Sequence, residues 1–442
     1  MKTRTLLPAL LLAAALPLVA QAQNGINEPY SQYGIGSSII PANLPWCSAF
    51  GGAAYTQRGN TFINTLNPAS YAAVGMQALA FDMGFNVQMS TLKDPQTSLY
   101  DADANLGYIS LAFPVAKWWK AAVGLAPLSN VDYSSVQGAK GATFDTMSTI
   151  YEGYGGVNYF FLGSGFNIGQ RLSLGFNANL LFGTITRAIT YDFVQNDSSA
   201  FLDSRKQKDS RINGITLDFG AQYRLPLGEK HSLNLALTLK VPRTMTVNDN
   251  ALSYTFVTNG GMEYIRDTIF PRTAGEGSFS STLQQPFTLG VGAGLERNEL
   301  WQAAIDFTYA PWSGMKYTEK GGVNLFGRGA LAYGKNGRLN MGIRWMGDKG
   351  SSHYLRRMEY SAGFHYEKGK LRLALQGEQE KSIDEWGFGF GTAFPMRKGR
   401  SALRLSASYA SMGSPDMLRH NYFVIGISVG SSDSWFVKRR YE

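Results

Sequence analysis

LAFDMGFNVQMS, residues 79–90, alternates without a break. Leu79, Phe81, Met83, Phe85, Val87 and Met89 fall on one side; Ala80, Asp82, Gly84, Asn86, Gln88 and Ser90 fall on the other. Successive side chains of a strand point to opposite faces, so period two reads as a strand. One face is large and apolar, and the other carries Asp, Asn and Gln. A soluble sandwich and a membrane barrel both ask for such a strand, and they bury opposite faces. The neighbouring strands decide between them.

The pattern recurs down the chain, at Ile109-Leu111-Phe113, Leu172 to Phe182 at even positions, and Ile215 to Tyr223 at odd ones. It continues at 233–241, 287–295, 301–309, 339–345, 358–366 and 386–394, with weaker candidates near 119–128, 153–167, 402–410 and 420–429. Many of these run for ten residues or so, longer than a usual soluble strand and suited to a tilted membrane strand. The face opposite the hydrophobes carries Gly290-Gly292-Gly294, Gly387-Gly389-Gly391, Asp82, Asp306, Arg344, Glu359, His365 and Glu367. Glycine is a destabilising choice for a solvated sheet face. In a barrel lumen, small residues make room and charges pair.

The connections argue separately for the barrel. Fifteen candidate strands appear, the fifteenth being the charge-dense KLRLALQGEQE at 370–380. Counting it as loop leaves fourteen. Links after odd strands are then 91–103, 129–152, 188–210, 242–285, 311–336, 368–385 and 411–420. After even strands they are 114–118, 168–170, 225–230, 297–298, 347–356 and 396–401, of which 347–356 fits least comfortably. Short periplasmic turns, long external loops and an even strand number define outer-membrane barrels. Trp118, Trp119, Trp301, Trp312, Trp345 and Trp386 fall at expected strand ends, where interfacial girdles belong. The expected fold is an all-β transmembrane antiparallel barrel over 78–430.

The N-terminus sets the compartment. Lys2 and Arg4, the apolar Leu6–Val19 and Ala20-Gln21-Ala22 read as a secretory signal peptide, 1–22. Its removal takes the formal +9 to +7, a charge spread too thinly for nucleic-acid binding, with no dense basic run before Lys438-Arg439-Arg440 in a periplasmic tail, 431–442. The single cysteine, Cys47, excludes an intrachain disulfide.

Residues 23–77 do not alternate. They hold NEPYSQYGIG (27–36), GGAAYTQRGN (51–60) and INTLNPASYAAVG (63–75), rich in Gly, Asn, Pro and Tyr. A fourteen-strand barrel is too wide for its own side chains to fill, so this segment is expected to plug the lumen. Asn67-Pro68-Ala69, a few residues before the first strand, resembles the NPA signature of the FadL-like family. NEPYSQYGIG and DSWFVKRRY (433–441) resemble a divergent branch of it. The resemblance implies an outer-membrane transporter of a Gram-negative bacterium that passes fatty acids and other hydrophobic molecules. It implies an N-terminal hatch and a third strand kinked inward to open a lateral route into the bilayer. On this chain that route maps to Ala126-Pro127-Leu128, where proline interrupts a wall that should be bonded on both sides; alternatively Pro127 lies just beyond the strand, in the external loop. The chain departs from the barrel pattern in ending on a basic tail rather than an aromatic residue.

Enzyme chemistry finds little support. His231, His353, His365 and His420 are isolated, with no HExxH and no Cys/His cluster. His365 near Glu359 and Glu367 reads as a lumenal polar network before it reads as a base with its orienter. GVGAG at 290–294 sits inside a strand and is no phosphate loop. No cofactor is expected. The partners expected are outer-membrane lipid and a hydrophobic small molecule, for a monomer, with room left for a protein partner. Competing readings are a non-transporting adaptor for protein secretion or surface attachment, and a porin for polar solutes, which a plug opposes.

Overall fold

The computed structural model describes residues 27–39, 42–76, 78–93, 98–139, 146–194, 201–259, 262–269, 278–297, 300–318, 332–348, 350–373, 381–396, 400–413 and 418–434. The expected signal peptide, 1–22, and residues 435–442 of the expected tail lie outside the described residues. Fourteen wall strands follow the chain: β1 (Ala78–Lys93), β2 (Ser98–Pro114), β3 (Trp119–Ala139), β4 (Thr146–Ile168), β5 (Leu172–Val194), β6 (Asp203–Leu227) and β7 (His231–Lys240). They continue as β8 (Thr288–Arg297), β9 (Trp301–Pro311), β10 (Lys335–Trp345), β11 (Glu359–Leu373), β12 (Lys381–Met396), β13 (Ser401–Gly413) and β14 (Arg419–Ser434). Each pairs antiparallel with the next, and β1 closes the ring on β14 from Ala78–Ser434 to Lys93–Arg419. Closure brings the last strand back to the first, so the sheet has no terminal edge strand.

The two faces of residues 79–90 now have an answer. Asp82, Asn86 and Ser90 are buried inside, while Val87 stands on the outside. β5 repeats this, with Ser173, Asn177 and Asn179 buried and Leu174, Phe176, Leu180 and Phe182 exposed. Large apolar side chains face out and polar ones in, the reverse of a soluble protein and the arrangement a bilayer demands.

Strand number and order are as expected, but the strands outrun their expected ends. β3 continues past 128 to Ala139, β5 past 187 to Val194, and β14 past 430 to Ser434. Within the expected loop 242–285, Arg243–Asn259 carries β7 onward after a break at Val241–Pro242 and pairs with the first half of β6. Ser278–Gln285 pairs with it in turn and leads into β8. Beyond the hydrocarbon both faces are wet, so apolar alternation fades while backbone pairing persists. The fifteenth candidate resolves the same way: Lys370–Leu373 extends β11 beyond a register shift between Glu367 and Leu371, and 374–380 lie outside the described residues.

Residues 27–39 and 42–76 lie inside the ring. They form three short helical turns, Pro29–Gln32, Pro45–Ser48 and Pro68–Ala73. Each opens on a proline, whose fixed φ suits a first turn and whose missing N–H costs nothing there. Trp46 stacks on Phe62 at 4.7 Å between ring centroids. With Cys47, Phe50 and Tyr71 they are buried against the inner wall.

Candidate functional site

The inner segment is tied to the wall by groups that sequence alone could only call lumenal. Asp306 on β9 accepts from the backbone N–H groups of Ala54 and Tyr55 at 2.6 and 2.8 Å. Asp82 on β1 accepts from Ile63 N–H at 3.1 Å. Arg404 on β13 donates to the Thr61 carbonyl at 2.8 Å. Arg344 on β10 donates to Gln57 Oε1 at 3.1 Å and to the Trp46 carbonyl at 3.3 Å, with the Phe50 ring 4.9 Å from its guanidinium. Hydrogen bonds to charged groups are the stronger kind, and these come from β1, β9, β10 and β13, within one half of the ring.

Inward glycines give the space. A Cβ on Gly290 would lie 2.5 Å from the Tyr55 ring, and one on Gly389 would lie 2.1 Å from the Ser48 carbonyl oxygen. The two glycine runs read as room-making are therefore the surfaces on which the inner segment rests. Asn67-Pro68-Ala69 lies against β5 and β6. Asn67 Oδ1 caps the following turn by accepting from Ala69 N–H at 3.1 Å, while its Nδ2 donates to the Tyr55 carbonyl at 2.8 Å. Cβ atoms on Gly175 and Gly220 would strike the Pro68 backbone at 2.4 Å and Asn67 Oδ1 at 2.1 Å. Burial pushes the Cys47 thiol far above its usual range, with Asp306 adding to the effect.

Among the described residues the wall is interrupted between β2 and β3. Pairing of β2 with β3 runs from Pro114–Lys120 only to Ile109–Leu125, although β2 continues to Ser98 and β3 to Ala139. Pro127 lies within β3, not in the following loop, and is paired on its other side with Asn158. Leu128 is the extra residue of a register shift between Pro127 and Ser129. Ala126 is buried and Leu128 half-buried.

The vacated edge of β3 is occupied by the first described residues of the chain. Ser37–Ser38 pairs with Asn130 and Ser129. Glu28 N–H donates to the Asp132 carbonyl at 2.7 Å. Asn27 donates from Nδ2 to the Ser134 carbonyl at 3.0 Å, and from its backbone to Asp101 Oδ2 on β2 at 2.9 Å. Residues 27–38 thus form a strap over the break. No period in the sequence points to it.

Between the inner segment and the external halves of the wall lies a cavity of about 280 Å³, near the lower end for small-molecule sites. Its lining includes Tyr33, Ile35, Leu66, Leu128, Met315 and Trp312. Trp312, expected in the interfacial girdle, instead stands in a short turn after β9 with the Lys370 ammonium 5.6 Å from its ring. On the polar side Arg338 meets Glu367 at 2.8 Å and Glu385 at 3.7 Å. His365 sits 3.1 Å from Glu385, a carboxylate that strand pairing brings from β12 and that shares Arg338 with Glu367. Among the described residues no group of three His, Cys, Asp or Glu is placed to hold a metal ion.

Solved structures share this architecture. A Pseudomonas aeruginosa FadL homologue is similar with a TM-score of 0.55 at 11% identity, over 88% of this chain and 98% of that one. The monoaromatic hydrocarbon channel CymD is similar at 0.54 and 14% identity, over 89% and 98%. The Pseudomonas putida toluene transporter TodX is similar at 0.51 and 14% identity, again over 89% and 98%. At such identities the likeness is one of fold, the closed antiparallel β-barrel of those proteins. No curated protein sequence matches the chain. A family model described as BamG matches residues 3–442, and the chain belongs to the BamG family.

Proposed function

We propose that this protein passes small hydrophobic molecules, fatty-acid-like in character, through a plugged outer-membrane barrel, entering from the external cavity and leaving sideways. In this reading 1–22 is a leader, 23–77 the hatch, 78–430 with its extension to Ser434 the barrel, and the remainder up to 442 a periplasmic tail. Asn67-Pro68-Ala69 seats the hatch and Ala126-Pro127-Leu128 marks the exit; the protein acts as a monomer without a cofactor. The observation carrying the reading is the β2–β3 ladder that stops at Ile109–Leu125 while both strands go on. A hydrophobic solute leaving there need not cross the aqueous periplasm. Ala126→Trp should block uptake of a fluorescent fatty acid while leaving heat-modifiable gel migration intact. Undiminished uptake by that variant would refute a lateral exit.

A second reading, an adaptor for protein secretion or surface attachment, draws on how firmly residues 46–63 are tied to β1, β9, β10 and β13. A stable protein partner in a mild-detergent pull-down, with no ligand density in the cavity of a structure from native membrane, would favour it.

A further inference from the structure

Short turns that are far apart in sequence gather at one rim, the rim of Ala78 and Ser434. Among their described residues Lys117, Arg171, Lys230, Arg297, Arg356 and Arg400 stand exposed, against Glu229 and Asp348. Charge that looks diffuse along the chain is therefore concentrated on the periplasmic side. One of these turns is longer than the rest: 346–358, with the helical turn Tyr354–Arg357.

That turn sits beneath an apolar groove of about 690 Å³ in the outer wall. The groove exists because Ala293, Ala303 and Ala362 occupy outward positions on β8, β9 and β11, where the surrounding wall carries Leu295, Ile343 and Phe364. Ala303 pairs with Ile343 and Ile343 with Ala362, so the depression runs across adjacent strands. One outward step nearer the rim, Trp301, Trp345 and Tyr360 form a continuous cross-strand row. Tyr360 Oη donates to the Leu355 carbonyl at 3.2 Å, which fixes the helical turn directly below that row. Leu355 is 68% exposed, and the Arg357 guanidinium lies 5.1 Å from the Tyr354 ring. Arg357 Nε is buried with no hydrogen-bond partner. Neither Arg356 nor Arg357 has an ion-pair partner among the described residues.

From hydrocarbon to water the surface therefore reads apolar slot, aromatic row, exposed leucine, arginine pair. We propose that this is a binding site for a phospholipid with an anionic headgroup in the periplasmic leaflet. One acyl chain fills the slot, and phosphate oxygens meet Arg356 and Arg357. Arginine's fork suits phosphate geometry, and the aromatic row stands at headgroup depth. A soluble acidic protein could meet the arginines but could not reach the slot, which lies on the hydrocarbon side of the tryptophans.

Native mass spectrometry of the full-length protein in detergent, titrated with phosphatidylglycerol or phosphatidylethanolamine of matched chains, tests this. Phosphatidylglycerol should be retained preferentially. Arg356→Gln with Arg357→Gln should cut its retention by about fivefold for each arginine removed, towards the phosphatidylethanolamine level. Ala303→Leu with Ala362→Leu, which fills the slot with lipid-compatible side chains, should lower retention of both lipids. Heat-modifiable migration reports that each variant is folded. Equal retention of the two lipids by the unaltered protein would overturn the proposal. So would unchanged phosphatidylglycerol retention in the arginine variant, including the case where that variant instead loses an acidic protein partner.

Discussion

The hydroxyl of Ser31 stands in for a missing strand at Asp132. It accepts from the Asp132 backbone N–H at 3.0 Å and donates to the Asp132 carbonyl at 3.1 Å. A buried backbone group left without a partner costs about 1–3 kcal/mol, so a break between β2 and β3 requires something to bond the edge of β3. Ser31, Asn27, Glu28 and Ser37–Ser38 do so. Ser31→Ala removes the acceptor from the Asp132 amide, a loss of about 1–3 kcal/mol for a buried group. Hydrogen exchange at Asp132 should accelerate in that variant, while exchange at Gly124, on the intact part of the β2–β3 ladder, stays as it was. Equal protection at Asp132 before and after would show that the strap does not carry the edge.

Asp306 offers one oxygen to two N–H groups of the inner segment. Asp306→Ala leaves both donors without a partner, and the wall strand itself loses no backbone bond. The expected outcome is a folded barrel with a loosened centre: unchanged heat-modifiable migration, but higher conductance in planar bilayers and faster proteolysis within 50–60. Conductance as low as the unaltered protein's would mean that Arg344, Arg404 and Asp82 hold the segment without it.

Two glycines on wall strands make a paired test of packing. A Cβ on Gly220 would lie 2.1 Å from Asn67 Oδ1, whereas one on Gly138 would meet nothing within 4 Å. Neither has an unusual φ, so the difference between alanine variants reports space alone. Gly220→Ala should lower the temperature at which folded migration is lost, by the equivalent of about 1–3 kcal/mol of overpacking. Gly138→Ala should leave it within error.

These contacts also show what the sequence could and could not disclose. The wall was legible because lipid and lumen ask for different residues at successive positions, so β1, β5, β7 and β9 carry their own orientation. The glycine runs at 290–294 and 387–391 were legible as space, though not as space for Tyr55 and Ser48. The strap was not legible, because its partners on β3 lie about a hundred residues away and its Asn, Glu and Ser have no period. That Glu385 is the carboxylate at His365 was not legible, because cross-strand neighbours depend on register, which a single sequence leaves open. The basic rim was hidden for a related reason: a ring assembled from many short turns has no run to notice.

Cys47 is enclosed by the segment that contains it and is wholly buried. Burial raises its thiol pKa, so the folded protein keeps the proton through the range where an ordinary thiol begins to ionise. Maleimide labelling of the folded barrel at pH 8–9 should be negligible and become complete on unfolding. The sign follows from linkage: an unfolded thiol ionises first, so this group's contribution to stability is constant below the ordinary thiol range and declines above it. Rapid labelling of folded protein would show that the inner segment opens on its own.

The strap supplies the decisive test of motion. Ser38 and Ser129 are direct antiparallel partners, and such pairs have Cα atoms about 4.5–5.5 Å apart, inside the range a disulfide accepts. Ser38→Cys with Ser129→Cys should therefore oxidise without rebuilding the wall. Cys47 is buried and does not compete. If molecules leave through the break, the strap must part from β3 during passage, and the oxidised variant should take up a fluorescent fatty acid far more slowly than the reduced one. Reduction with dithiothreitol should restore the rate in the same membranes, which separates locking from misfolding. Equal uptake in both states, with the cross-link verified by mass, would mean that the strap is a permanent part of the wall and that the break is sealed rather than gated.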